Sequence, residues 1–240
     1  MNYHANYCFA DLPVSITHSY PFLARQCQEY LTDREPIASL EITLEDIRRE
    51  CERAEVTCAS EPYLESLACY RKFCEWAVEK NVLLFHSSTI AVDGVAYLFA
   101  APSGTGKSTH TSLWRQMLGE RAVMLNDDKP LIRLTPDEVR VYGTPWDGKH
   151  RLSVNSSAPI GGICLLSRGE KNVITPISPN EAFPLLMSQT FRPHTDDGTA
   201  KMLQLAIELA NRVPLWSLHC NMEPEAAQIS YQAMKREIKV

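Results

Sequence analysis

An α/β fold built on a mixed β-sheet is predicted by three observations. After Lys80, short apolar runs alternate with helix-length segments, the pattern of strands exchanging with helices around one core. Two of the runs, Thr89–Val92 and Val95–Ala100, flank Asp93-Gly94, a strong two-residue hairpin signal. The second run leads directly into the glycine-bearing segment Ala101–Thr109 (APSGTGKST), after which a helix is expected.

The remaining elements follow from periodicity and punctuation. Val82–Phe85 is a short apolar run. A helix is expected over Ser108–Met117, and Ala122–Leu125 reads as a buried strand ending at Asn126-Asp127-Asp128. Leu131–Leu134 and Val139–Tyr142 suggest a second hairpin turning near Pro136-Asp137. Ile160–Ser167 and Leu215–Cys220 read as core strands, and Glu181–Met187, Thr199–Val213 and Glu223–Lys235 as helices; Pro184 interrupts the first of these.

Residues 1–80 have a different rhythm and read as a small N-terminal α+β region, with residues 81–240 as the main domain. Val14–His18 and Ile37–Ile42 suggest strands. Phe22–Leu31 and Leu44–Ala54 suggest helices, the second capped by Thr43. In Pro62–Lys80, the residues Tyr63, Leu67, Tyr70, Cys74 and Ala77 share one helical face, with Phe73 and Val78 at its edges, which predicts a core-facing helix. No catalytic motif occurs here, so the region is an appendage or a lid.

Composition narrows the function. Of the 240 residues, 45% are apolar and 22% charged, ordinary values for a soluble enzyme, and the net charge of −5 provides no general field for nucleic acid. No stretch approaches the roughly 18 apolar residues of a membrane helix. The N-terminus lacks a charged start followed by an apolar run, so the cytoplasm is the default location. The eight cysteines include no C-x-x-C pair and are expected to be buried, reduced thiols rather than a metal site or a disulfide frame.

The segment entered from Ala100 fits a phosphate-binding P-loop (Walker A), G-x-x-x-x-G-K-[ST], with Ala101 in place of the first glycine. Gly104 and Gly106 permit positive φ, so the amides of Ser103, Gly104, Thr105 and Gly106 can turn inward and form an anion nest. The helix after them, with Ser108 and Thr109 in its first turn, directs its positive end to the same place. Lys107 is expected at the β- and γ-phosphates of a nucleoside triphosphate such as ATP, and the Ser108 hydroxyl on Mg²⁺.

Asp127 and Asp128 end an apolar strand, as in a Walker-B element. Neighbouring residues of an extended chain point to opposite sides, so one carboxylate can serve the metal while the other accepts a proton from an attacking hydroxyl. A surface turn is the alternative, Asn-Asp-Asp being good turn chemistry. His86 follows Val82–Phe85 and precedes Lys107 by 21 residues; it is either catalytic or structural. Gly143–Lys149 is a loop over phosphate or substrate, with Lys149 or Arg151 stabilising transferred charge, or else a turn anchored by Trp146. Arg192 lies with His194, Asp196 and Asp197 in a polar stretch, Thr190–Thr199, either as a γ-phosphate contact or as part of a solvated linker.

The P-S-G-T-G-K-S segment, the later Asp pair and the preceding His-strand-hairpin-strand arrangement together resemble the HPr kinase/phosphorylase group, over roughly residues 80–220. That group shares its P-loop fold with ATP-dependent phosphoenolpyruvate carboxykinase. The resemblance implies the same type of mixed sheet. It implies that His86 is an active-site histidine, that Lys107 and Ser108 serve phosphate and metal, that Asp127 is the base for a seryl hydroxyl and that Asp128 is its acidic neighbour. Ser108 and Asp128 would then hold Mg²⁺. The family's Gly-Arg-Gly-type signature is absent and Tyr142–Lys149 (YGTPWDGK) stands in its place. This departure leaves phosphorylase activity and HPr as acceptor open, and the stretch looks more like the smaller HPr-kinase-like proteins, some of which phosphorylate ribosomally made peptides. Closed oligomers occur in the family, which leaves an oligomer open.

The expectation is a Mg²⁺-dependent kinase moving the γ-phosphoryl of ATP to a hydroxyl of a peptide, protein or small molecule, with no nucleic-acid or membrane partner. A nucleotide-binding regulatory module with little or no transfer and a small-metabolite kinase are the alternatives.

Overall fold

The computed structural model describes residues 3–53, 59–148 and 150–235. The chain divides into two compact units, Met1–Lys80 and Asn81–Val240. Among the described residues no helix is long and apolar enough to cross a membrane.

The first unit opens on a hairpin absent from the sequence-based expectation. Strands β1 (Tyr3–Phe9) and β2 (Leu12–His18) pair antiparallel, with Phe9 opposite Leu12. Their two-residue turn, Ala10-Asp11, holds φ of +50° and +60°, the double left-handed conformation that suits hairpin twist. Neither residue is glycine or asparagine, so the turn carries no composition signal. Helix α1 (Pro21–Gln26) is shorter than expected. Buried Cys27 leaves helical geometry at ψ 11°, and a 3-10 turn follows over Gln28–Tyr30. Strand β3 (Ser39–Glu41) adds parallel to β2 and completes a three-stranded sheet.

Thr43 caps α2 (Leu44–Arg53) reciprocally: its hydroxyl accepts from the Asp46 amide, and Asp46 accepts from the Thr43 amide. On α3 (Glu61–Ala77) the buried face differs from the expected one. Tyr63 is 45% exposed, while Leu64, Cys69 and Phe73 join Tyr70, Cys74 and Ala77 in the core. Phe73 meets Phe9 edge-on at 5.3 Å. The seven described cysteines are free, and burial pushes the thiols of Cys27, Cys69, Cys74 and Cys164 up; Cys58 lies outside the described residues.

The second unit runs β4 (Val82–Leu84), β5 (Ser88–Val92), β6 (Val95–Ala100), α4 (Lys107–Leu118), β7 (Ala122–Asn126), β8 (Leu131–Leu134), β9 (Val139–Tyr142), β10 (Ser157–Arg168), β11 (Val173–Pro176), α5 (Pro179–Gln189), α6 (Asp196–Arg212), β12 (Leu215–Cys220) and α7 (Pro224–Met234). Its nine strands form a curled, mixed sheet, consistent with an α/β nucleotide-binding fold. The order β7-β5-β6-β10-β12-β11 makes the main part. The meander β4-β8-β9 joins through Ser157–Pro159, the first residues of β10. Strands β6, β10 and β12 are parallel. Strand β7 shares their direction, since β5 is antiparallel to both β6 and β7. The carboxyl ends of four strands thus meet one edge, where ligands bind in open α/β sheets.

Three departures have local causes. Strand β11 is a short, largely exposed strand ending in Pro176, too brief for a periodic signal. Helix α5 starts earlier than expected because Pro179 occupies its first turn and Ser178 forms a capping box with Glu181; Pro184 is accommodated within it. Helix α6 begins at Asp196, with Thr195 capping Gly198. Asp196 and Asp197 therefore belong to a helical first turn, where acidic groups complement the dipole, and not to a polar loop. Trp114 anchors α4 on the sheet, lying 5.3 Å from Tyr97 and 5.2 Å from Phe99, and its indole donates to Ser230 of α7 at 2.8 Å.

Candidate functional site

The glycine-bearing segment leaves β6 at the shared edge. Gly104 and Gly106 hold φ of +77° and +124°. The Thr105 amide and hydroxyl both donate to the Pro102 carbonyl, at 3.3 Å and 2.8 Å, which tightens the turn. Ser103 and Gly104 are exposed, as are Ser108 and Thr109 in the first turn of α4. No side chain caps that helix, so its first amides are available to an anion. Arg168, at the carboxyl end of β10, donates to the Gly104 carbonyl at 2.6 Å. Nothing in the local sequence around Arg168 marks this role; only the parallel pairing of β10 with β6 brings it here.

The end of β7 is shaped by a bulge. Thr89 pairs with Asn126 and Ile90 with Met124, so Leu125 is the extra residue. Its carbonyl turns away to accept from the Val154 amide at 3.3 Å. Gly143 is needed at this crossing, since a Cβ there would sit 2.0 Å from the Val154 carbonyl oxygen and 2.6 Å from that of Leu125.

Asn126, fully buried, organises the acidic turn. Its Oδ1 accepts from the amides of Asp128 at 2.8 Å and Lys129 at 2.7 Å, an Asx turn that fixes the pair of carboxylates. Its Nδ2 donates to the carbonyl of Thr144 at 3.1 Å and to its hydroxyl oxygen at 3.0 Å. The Thr144 hydroxyl in turn donates to the Lys129 carbonyl at 2.8 Å. The Thr144–Gly148 segment is thereby tied to the acidic turn. Trp146 is buried, as an anchored turn would require.

The two carboxylates have different surroundings. Asp127 is 7% exposed, and Oδ1 accepts from the Ser88 hydroxyl at 2.6 Å. Gly148 faces the other oxygen, and its missing Cβ leaves room there: a Cβ at Gly148 would lie 3.1 Å from Asp127 Oδ2. Asp128 is more open. Its Oδ2 accepts from Lys129 Nζ at 2.8 Å, and its Oδ1 lies 4.0 Å from His86 Nδ1. Burial would raise the Asp128 carboxyl, but His86 and Lys129 outweigh it and hold the group at about 2.

Lys107 Nζ donates to the Ala101 carbonyl at 2.9 Å. Burial lowers its pKa, against the opposing pull of Asp128 and Asp127. The shared direction of β6 and β7 brings the loop lysine and both carboxylates to one sheet edge, with His86 beside Asp128. His86 is held there by its own amide, which donates to the Gln189 carbonyl at 2.7 Å next to the Phe85–Thr190 bridge.

Two other arginines singled out from the sequence are exposed. Arg151 is exposed at φ +46°, closing a turn onto the Gly148 carbonyl. Arg192 is exposed and lies past Thr190, on the side of the bridge leading away from His86. Lys149 lies outside the described residues.

No protein-family model matches the chain, and no curated protein matches it. Among solved structures it shows a distant likeness to the HPr(Ser) kinase/phosphatase from Coxiella burnetii, at 10% identity and a TM-score of 0.34, covering 62% of this chain and 96% of that one.

Proposed function

We propose that the chain is a Mg²⁺-dependent kinase that transfers the γ-phosphoryl group of ATP to a hydroxyl, with a serine of a peptide or protein as acceptor. One observation carries this reading: Lys107, in the first turn of an uncapped helix behind two positive-φ glycines, shares a sheet edge with Asp127 and Asp128. Phosphoryl transfer needs positioning and charge neutralisation above all, and these groups supply both.

In this reading the glycine-bearing segment and the first turn of α4 cradle the phosphates, and Lys107 leaves the Ala101 carbonyl to neutralise the β- and γ-phosphates. The acceptor hydroxyl gives its proton to Asp127. Its oxygen bonds to the γ-phosphorus as the bond to the β–γ bridging oxygen breaks, and ADP leaves. Asp128, held anionic by His86 and Lys129, and the Ser108 hydroxyl are hard oxygen donors that fit Mg²⁺. Among the described residues no cluster of three or more His, Cys, Asp or Glu forms an all-protein cage, and Mg²⁺ bound alongside phosphates needs only one or two carboxylates. When bound, the ion screens the negative charge on the phosphates.

A second reading is favoured by the burial of Asp127, which is 7% exposed. A module that holds nucleotide and transfers nothing also suits a covered carboxylate. The two readings part on where the phosphate goes. With γ-labelled ATP, Mg²⁺ and a peptide pool, label appearing on a serine supports the kinase. Tight ATP binding with no labelled acceptor supports the module. In either case Lys107→Ala is expected to weaken nucleotide binding about 10- to 100-fold by removing a charge-assisted phosphate contact, and unchanged binding would defeat the assignment of the loop.

A further inference from the structure

We infer that Ser88, with Thr111 behind it, is the positioning residue that fixes which oxygen of Asp127 takes the acceptor's proton; this rests on the phosphoryl-transfer reading above. A carboxylate that rotates about χ2 presents either oxygen. Asp127 is pinned on one side, because the Ser88 hydroxyl donates to Oδ1 at 2.6 Å.

Proton counting gives the network a direction. A carboxylate only accepts, so the single Ser88 proton is committed to Asp127. Ser88 Oγ also lies 2.8 Å from Thr111 Oγ1, and that contact must then be closed by the Thr111 proton. The other options for Thr111 are longer, 3.3 Å to the Lys107 carbonyl and 3.2 Å to the Ser108 carbonyl. Ser88 and Thr111 are both buried, so water does not compete and each bond polarises the next. The chain of donation runs from Thr111 to Ser88 to Asp127 Oδ1.

Secondary structure holds both ends. Ser88 opens β5 opposite Phe99, and its neighbour Thr89 pairs with Asn126 at the end of β7. Thr111 lies one turn into α4, four residues after Lys107, so the two share a helix face. The orientation of Asp127 is thereby referenced to the turn that carries Lys107. Oδ1 is occupied, and Oδ2, on the Gly148 side, is left for the transferred proton.

The test compares Ser88→Ala, Ser88→Thr, Asp127→Asn and the Ser88→Ala/Asp127→Asn double variant in the full chain. ADP formation from Mg·ATP in the presence of the peptide pool, binding of a fluorescent ATP analogue and urea unfolding are measured for each. Ser88→Ala is expected to lower kcat about 10- to 100-fold, the worth of a hydrogen bond to a charged group, with nucleotide Kd unchanged. Ser88→Thr restores most of the loss. In the Asp127→Asn background Ser88→Ala costs nothing further, because it acts only through Asp127. Should Ser88→Ala not fold, Ser88→Cys, a near-isostere with a weak donor, takes its place with an intermediate kcat. Unchanged kcat in Ser88→Ala, or the same loss in both backgrounds, overturns the positioning role while leaving the kinase reading intact. A parent chain that binds no Mg·ATP at all overturns the kinase reading itself.

Discussion

Both units bury carboxylates, and Glu65 of the first and Asp127 of the second are treated in opposite ways. Glu65 of the N-terminal unit is fully buried and has both oxygens occupied. Oε1 accepts from the Ser19 amide at 2.5 Å, Oε2 accepts from the Tyr20 amide at 2.9 Å, and His18 stands 3.7 Å away. Asp127 of the second unit has one oxygen held by Ser88, and its other oxygen receives no hydrogen bond among the described residues. A buried charge is costly unless paired, so saturation like that of Glu65 is what a purely structural group requires. An incompletely saturated carboxylate beside a lysine-bearing loop has capacity left for a ligand.

The largest effect expected from this contrast is in Asp127→Asn. An amide cannot serve as base, so transfer should fall about 10²- to 10⁴-fold while ATP binding persists, read by label transfer alongside a Kd measurement. Full transfer in that variant would erase the difference between the two carboxylates. Glu65→Gln should do the reverse. One end of the new amide cannot accept from a backbone N–H, so stability falls by about 1–3 kcal/mol in urea unfolding, with label transfer unchanged. An equal loss of turnover would give Glu65 a functional role.

The smallest effect is a dependence on acid. Burial would raise both Glu65 and Asp128, yet His18 with the Ser19 and Tyr20 amides, and His86 with Lys129, hold them below the ordinary values of 4.5 and 3.8. A folded-state value below the unfolded one contributes stability that is present above the unfolded value and lost as pH falls through the folded one. Unfolding midpoints should therefore decline on acidification below the ordinary values of both groups, the Asp128 contribution being lost down to about 2. Asp128→Asn should make that decline shallower between about 3.8 and about 2.

Much of the second unit could be read in advance because its signals are local. Asp93-Gly94 marks a hairpin, two glycines precede Lys107, and an apolar strand runs into Asn126-Asp127-Asp128. What escaped depends on contacts distant along the chain. Ser88 meets Asp127 across 39 residues, and Arg168 reaches Gly104 across 64. A serine at a strand start and an arginine at a strand end carry no pattern of their own. Asn126 reads as turn chemistry, whereas its buried amide also ties the acidic turn to Thr144. In the first unit, the hairpin at Ala10-Asp11 lacked the glycine or asparagine by which such turns are recognised.

The bulge at Leu125 makes the length of β7 a constraint separate from its composition. Side chains alternate faces along a strand, so a slip of one residue sends each to the opposite side. Another apolar residue can replace Leu125 and still fill the space. Deleting it would leave Asn126 opposite Thr89 but remove the bulge, and with it the carbonyl that accepts from the Val154 amide where the Gly143 backbone crosses. Insertions and deletions should therefore be tolerated in the exposed turns of this unit but not between Ala122 and Asn126, where the number of residues is itself part of the site.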